Sequence, residues 1–558
     1  MEDERDKDRT PLTEDERINR LFNCALSDMK DFARQQFRQI RRLTAIGTAL
    51  SAEKNLDRLL EMILEEGQRL TNADGGTLYL TADSEKELQF ALVRTDSLGL
   101  RMGGTGGRIT WPPVALFNDN GTPNHANVSA FVALSGQTVN IPDVYCAEGF
   151  NFQGTRAFDA ETGYRSKSML VVPLRNHEND IIGVVQLLNA RKAGGGEAVA
   201  FSQESQEITE SLASQAAVAL TNSRLIHDLE NLLEAYVRTI ATAIDEKSPY
   251  TGGHVRRVVE IAMELAVKIN AADSGPFAGV FFNKNELQEL QIAAWLHDVG
   301  KITTPEHIVD KATKLEAVHD RIDLLKTRLE VIRRDHEISL LKNHLLSKGL
   351  ALPEELVEEQ ERFSRILRED SRFLDEVNRG GETMSEERIK RLQGIANRSW
   401  EDNGRPQYSI TREEIRNLSV RRGTLTDEER DIINNHAVVT SKILSQLPFP
   451  KKLSRIPEYA SGHHEHLNGT GYPLGLKGDQ LPLQTRILAL ADIFEALTAK
   501  DRPYKKGKTL SEAIKILTAM AEEGHIDPAL FAFFMEKRIY LDYARRVLAP
   551  QQLDMDGV

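Results

Sequence analysis

"LQIAAWLHDVGK", residues 290 to 301, is an apolar helical stretch that ends on His297 and Asp298 side by side. A buried or half-buried His–Asp pair is costly to desolvate unless something binds it. A divalent cation is the simplest solution, and imidazole nitrogen with carboxylate oxygen suits first-row metals such as iron and manganese. A carboxylate has two oxygens, so Asp298 could bridge two ions. Lys301 follows three residues later, within one helical turn, and could direct its charge at a bound phosphate. Taken alone the pair is a weak signal, so its reading depends on the rest of the chain.

Eleven of the 14 histidines lie between His254 and His525. The densest group is "HHEHLNGTGYP", residues 463 to 473. His463 and His464 are adjacent, so on a helix end they are expected to point about 100° apart. His466 reads as a surface residue. Gly469 and Gly471 are expected to supply positive-φ backbone in the turn that follows.

At 558 residues the chain has room for three to five units of about 100 to 200 residues. It is 40% hydrophobic and 28% charged, with 71 basic against 84 acidic residues and a formal net charge of -13. No long basic block stands out, which argues against a nucleic-acid polymer as partner. Cys24 and Cys146 suggest neither a disulfide framework nor a thiolate metal cage. No apolar run approaches the roughly 18 residues of a membrane span, and no signal-peptide core stands out. A cytoplasmic protein with no membrane partner is expected.

Residues 14 to about 70 have helical apolar spacing. "GGTLYL" (75–80), "LQFALV" (88–93), "SMLVVPL" (168–174) and "IIGVVQLLN" (181–189) read as strands of an antiparallel sheet. The glycine-rich "LRMGGTGGRITWPP" between them reads as loop and lacks the ending of a phosphate loop. From Ile208 the positions 208, 212, 215, 219, 222, 226, 229, 233, 236 and 240 step by four and three, with Asn222 as a polar seam residue. This spacing predicts a dimeric coiled coil over 208–240. Beyond Asn231 the chain reads almost wholly helical. Leu315, Val318, Ile322, Leu325, Leu329 and Ile332 form a second seam, and Leu356, Phe363, Leu367 and Leu374 follow on another helix. A helical hairpin inserted over 313–424 is expected. Helix resumes at Thr426 and Glu429, which make a capping box.

The motifs "SPYTGGHVRRV" (248–258), "HDVGKI" (297–302), "LTDEERDIINNH" (425–436), "HHEHLNGTGYPLGLKGDQLPLQTRILALADIFEALTAKDRPYKK" (463–506) and "GHIDPALF" (524–531) occur in order. Over 239–312 and 425–535 the chain resembles the HD-GYP family of metal-dependent phosphohydrolases. The resemblance implies metal ligation by His254, His297, Asp298, His436, His463, His464 and Asp492. It places Gly471 and Tyr472 beside the substrate, and Lys301, Arg502 and Lys505 on its phosphates. It also implies hydrolysis of cyclic di-GMP to linear pGpG, with GMP as an open further product. Two ions could acidify water, hold phosphoryl oxygens and stabilise developing charge. No amino-acid nucleophile is then needed; Asp298 and Lys301 are the catalytic candidates, Asp298 keeping the ions spaced. HD-GYP domains with a third ion tend to carry a glutamate four residues before the first ligand histidine, where this chain has Tyr250. Two divalent ions, iron or manganese, are therefore expected, with Asp245 or Glu246 as the substitutes that would overturn this.

Residues 40–223 resemble a GAF domain. Where cyclic-nucleotide-binding GAF domains repeat an Asn-Lys pair, a Phe and an Asp-Glu pair, this chain has Asn189 and Ala190, Phe201, and Ser205 and Gln206. The pattern is partly kept, and an unknown small ligand or a ligand-free dimerising module are both open. The expected architecture is α+β. A helical segment (1–39) precedes a GAF domain (40–223) of antiparallel sheet with flanking helices. A connecting coiled-coil helix (208–244) leads to an all-α HD-type phosphohydrolase domain (231–545) that contains the inserted hairpin. GAF control of hydrolysis is expected. The alternatives are a catalytically silent cyclic di-GMP sensor or adaptor, and a hydrolase of another cyclic dinucleotide.

Overall fold

The computed structural model describes residues 15–82, 84–192, 196–247, 253–348, 353–402, 405–499 and 507–555. It divides into two units, Met1–Asn231 and Leu232–Val558.

In the first unit, α1 (Glu16–Ala52) and α2 (Leu56–Thr71) precede β1 (Ala73–Thr81), β2 (Glu87–Thr95), β3 (Leu100–Gly103) and β4 (Val114–Ala115). Then come α3 (Val128–Ser135), β5 (Val139–Ile141), α4 (Gln153–Thr162), β6 (Met169–Arg175), β7 (Ile181–Arg191), β8 (Ala198–Val199) and α5 (Gln203–Asp245). The sheet order is β3-β2-β1-β7-β6-β5, all antiparallel, with β4 beside β2 and β8 beside β7. Period-two alternation decides its two faces. Val185 and Leu187 of β7 pack with Leu60 and Leu64 of α2 and Leu212 and Leu220 of α5. Val184 and Leu188 face the opposite core with Val128 and Val132 of α3. The four strongly apolar strands match the sequence expectation. The short β3, β4, β5 and β8 do not appear in it, because they form by edge pairing rather than by their own propensity. Part of the expected glycine-rich loop is therefore β3, with Arg94 opposite Arg101.

The coiled-coil expectation needs correction. Leu212 and Ala219 are buried in the first unit's own core, so that part of the seam is unavailable to a partner. The exposed apolar residues of α5 are Val218, Leu225, Ile226, Leu229, Leu232 and Tyr236. Further along, Val237 and Ile244 are buried in a core of the second unit.

The second unit contains α6 (His254–Asn270), α7 (Lys284–Leu296), a 3-10 turn (Val299–Thr303) and α8 (Glu306–Val309). After the inserted segment come α13 (Asp427–Leu444), α14 (Ile456–Ser461), α15 (Leu483–Thr498), α16 (Leu510–Glu522), α17 (Pro528–Glu536) and α18 (Ile539–Val547). One core joins α6, α15 and the last three helices through Val258, Ile261, Leu490, Phe494 and Phe534. A second joins the end of α5, α7, the 3-10 turn and α14 through Ile244, Leu296, Val299, Ile456 and Tyr459. Capping boxes start α7 at Asn283/Glu286 and α13 at Thr426/Glu429, the latter as its sequence predicts.

The inserted segment is α9 (Ile322–Lys348), α10 (Glu354–Asn378), α11 (Glu386–Ala396), β9 (Ser399–Asp402), β10 (Arg405–Tyr408) and α12 (Arg412–Leu418). It has its own core of Ile322, Leu325, Leu329, Leu367, Leu374 and Leu392. It is thus more than a hairpin. The expected seam is also broken at its start: Leu315 joins the segment's core, but α9 begins only at Ile322, whose amide Asp320 accepts (3.0 Å), and Val318 is 95% exposed. Among the described residues no helix is long and apolar enough to cross a membrane.

Candidate metal centre

Five separate pieces of the second unit bring their functional side chains to one place. α6 begins on His254, α7 is capped by His297, and Asp298 opens the 3-10 turn. His436 sits on α13, Asp492 on α15, and His463 and His464 in the turn after α14. Gly300 permits the close approach of the turn to α13: a Cβ there would lie 1.9 Å from the His436 carbonyl oxygen. Thr440 fastens the pair, accepting the Gly300 amide and donating to the His297 carbonyl, both at 3.0 Å.

The imidazoles are held with one nitrogen turned inward. His297, His436 and His463 each pair Nδ1 with the carbonyl three residues earlier, at 2.8, 2.5 and 2.6 Å. That fixes Nδ1 as the protonated nitrogen and leaves Nε2 bare. Each of these Nε2 atoms, and Asp298 Oδ1, is buried without a hydrogen-bond partner. Such orphans are rare in folded proteins and mark an unfilled requirement. Asp298 stands between two sets of rings. Its Oδ2 is 3.4 Å from His297 Nε2 and 3.7 Å from His254 Nε2, while Oδ1 is 3.5 Å from His436 Nε2 and 3.9 Å from His463 Nε2. Three groups have ligand atoms close enough to share an ion: His254, His297 and Asp492; His436, His463 and His464; and His297, Asp298 and His463.

The electrostatics suit cations. Burial pushes His463 well below its usual range, with His464 adding to it, and takes His464 down to about 4. Both rings are neutral at pH 7. Burial opposes ionisation of Asp298, yet Lys301 and the surrounding imidazoles hold its carboxyl below the usual range. His254 differs from the other rings. Burial lowers it, but bonds to Asp492 and Glu495 outweigh that and raise it to about 10.

Sequence reasoning missed two acids. Glu495, fully buried one turn after Asp492 on α15, pairs with His254 Nδ1 and accepts from Arg257 Nε at 2.5 Å. Its signal was two carboxylates three residues apart on one buried helical face. Glu465 accepts the amides of Leu474 (2.6 Å) and Leu476 (2.9 Å), fixing the loop that carries Tyr472.

Other expectations fare unevenly. Gly469 has the positive φ (81°) expected of it, but Gly471 does not. Gly471 is required for space, since a Cβ would lie 2.3 Å from the His466 amide nitrogen. α14 ends at Ser461, so helical spacing does not govern the adjacent histidines. Their rings lie 4.0 Å apart and both join His436. The half-buried Tyr472 lies 4.8 Å from the His464 ring, and burial pushes its phenol up. Lys301 Nζ reaches Asp298 Oδ2 at 2.6 Å. His466 is half-buried rather than a surface residue, stacked on His525 at 4.5 Å. Tyr250, Arg502 and Lys505 lie outside the described residues. In the first unit, Asn189 is spent on backbone: it accepts the amides of Lys167 and Ser168 and donates to the Arg165 carbonyl. Phe201 is a core residue. Ser205 bonds Ser202, and Gln206 bonds Glu210 and Asn140.

A buried ring of histidines around carboxylates, on a helical scaffold, is a donor set of the kind that can hold divalent ions. The chain carries a GAF domain, whose profile matches residues 55–220, and an HD domain, whose profiles match 251–369 and 410–530. HD domains typically bind metal. Relatives include a probable cyclic di-GMP phosphodiesterase of Vibrio cholerae, 37% identical over 139 residues, which are 23% of this chain and 30% of the relative. A 3'3'-cGAMP-specific phosphodiesterase of the same organism is 44% identical over 112 residues, 20% and 23% of the two chains. A cyclic di-GMP phosphodiesterase of Thermotoga maritima is 36% identical over 124 residues, 22% and 33%. The chain thus spans about a quarter to a third of the length of these relatives.

Proposed function

We propose that the second unit is a metal-dependent phosphodiesterase of the HD-GYP type that hydrolyses cyclic di-GMP to linear pGpG. The observation that carries this reading is Asp298, whose two oxygens face different imidazole sets, beside three buried Nε2 atoms that lack partners. That donor set fits two divalent ions, iron or manganese, one held by His254, His297 and Asp492, the other by His436, His463 and His464, with Asp298 shared. Bound there, such ions supply Lewis acidity toward phosphoryl oxygens and acidify water. The chain's own residues do the rest. The carbonyl partners of the Nδ1 atoms hold His297, His436 and His463 in one tautomer, so their Nε2 lone pairs converge without reorganisation. Lys301, three residues from Asp298, brings positive charge to the phosphate side, and Arg502 and Lys505 are assigned to the substrate by family resemblance. Tyr472, held beside His464, offers a ring for a base or a hydroxyl for a phosphate.

The first unit serves as the regulatory GAF domain, its small ligand unassigned, and acts through α5, on which a homodimer forms. A second reading, hydrolysis of another cyclic dinucleotide, draws support from the 44% identity to the cGAMP-specific relative. The test is anaerobic incubation with Fe(II) or Mn(II) and a panel of cyclic dinucleotides, products separated by chromatography. Fastest turnover of cyclic di-GMP is expected, and the same chromatogram reads whether GMP follows pGpG. Turnover of cGAMP alone would move the assignment to the second reading. Binding without turnover would make the protein a sensor. Metal analysis in the same preparation is expected to give about two ions per chain, and a reproducible third would implicate Asp245.

A further inference from the structure

Just past the end of α5 stands a lysine that the chemistry above does not use. Lys247 Nζ donates to the carbonyl oxygens of Lys301 (2.9 Å), Ile302 (2.7 Å) and Thr304 (2.7 Å). An ammonium has three hydrogens, and here all three are directed at the C-terminal carbonyls of the 3-10 turn that carries Lys301. The turn's other side is fastened by Thr440 and wedged by Gly300 against α13. Ile244, at the end of α5, shares a core with Val299 of the same turn. Asp245, Lys247, Asp298, Lys301 and Glu306 line one small cavity between the helix end and the turn.

With its donors committed to backbone, Lys247 is not arranged to hold a phosphate. We propose that it is a positioning residue: its ammonium clamps the Val299–Thr303 turn to the end of α5 and so fixes where Lys301 presents its charge. This rests on the phosphodiesterase reading for its effect on substrate, but not for the clamp itself. It gives α5 a direct mechanical hold on the substrate side of the site. The His297 side should be spared, because the Ala294 carbonyl and Thr440 hold it independently.

The test uses the full chain loaded with Mn(II). K247M keeps the stem and removes the charge. It is expected to speed hydrogen exchange at the Lys301 and Thr304 amides about tenfold, the scale of one lost charge-assisted bond expressed locally. It should also lower kcat/KM for cyclic di-GMP about tenfold, chiefly through KM, at unchanged manganese content. K247R keeps the charge but offers a flat fork in place of a tripod, and is expected between the two. Unchanged exchange in K247M, or faster exchange with unchanged KM, would overturn the proposal. If K247M were too unstable to measure, wild-type exchange and wild-type KM in K247R would overturn it alone. If the wild-type chain hydrolyses no cyclic dinucleotide, the phosphodiesterase reading fails and the exchange comparison by itself decides the clamp.

Discussion

Asp298 serves two imidazole sets with one carboxylate, so its removal should be felt at both. Asp298→Ala is expected to abolish turnover and to lower bound metal, while the first unit stays folded; chromatography, anaerobic metal analysis and circular dichroism read the three effects. Full metal content with normal turnover would remove Asp298 from the centre. Glu495 acts at one remove. It orients His254 through Nδ1, so Glu495→Gln should weaken metal binding about 10- to 100-fold, measured by chelator competition, whereas the His436 set should be little changed. The contrast between these acids explains what was legible residue by residue. Asp298 and the histidines stand in dense, ordered motifs. Glu495 follows Asp492 by one turn on the same apolar helix, and only the fold shows that it meets His254 and Arg257. The role of Gly471 was misread for a similar reason: a close approach between chain segments leaves no trace in one of them.

At the scale of elements, strong periodicity was readable and weak pairing was not. β1, β2, β6 and β7 carry apolar runs, and α13 carries its capping box. β9 and β10 are four residues each, largely exposed, and pair only with each other. The inserted segment also hides a polar cost. Lys314 is buried with Nζ donating to the carbonyls of Leu418 (3.0 Å) and Val420 (2.7 Å). Burial lowers its ammonium to about 8 from an ordinary 10.5, with Arg388 adding to the effect. Between those values the unfolded chain binds more protons at this site than the folded one. Stability therefore rises with pH across that window, and below about pH 8 the contribution of Lys314 is flat. Lys314→Met should remove that rise. Urea midpoints of both chains on either side of the window test it, since the titration of all other groups cancels in the difference. Equal slopes would mean that Lys314 keeps its proton in the fold.

At the scale of the whole molecule the order of the two domains was legible, because each carries its own motifs, but part of the expected seam lies in a domain's own core. Sequence periodicity cannot tell an apolar residue buried in its own domain from one awaiting a partner. Leu212 and Ala219 belong to the first kind. Exposure selects the second: Val218, Leu225, Leu229, Leu232 and Tyr236 are between 44% and 64% exposed, and with Asn222 they step by four and three along α5. That is the spacing of a two-stranded seam with one polar register-setting position. A run of leucines at such exposure is costly in water and is the usual mark of an interface. The full chain is therefore expected to be a dimer by light scattering at micromolar concentration. Leu229→Glu, which would place a charge on each strand at the middle of the seam, should give a monomer without disturbing either core, since Leu229 belongs to neither. Hydrolysis per chain should persist in that monomer, because every metal-binding candidate comes from one chain, whereas any response to a GAF ligand should be lost. A monomeric wild-type chain, or a Leu229→Glu variant that remains dimeric, would show that these leucines are covered by something other than a second copy.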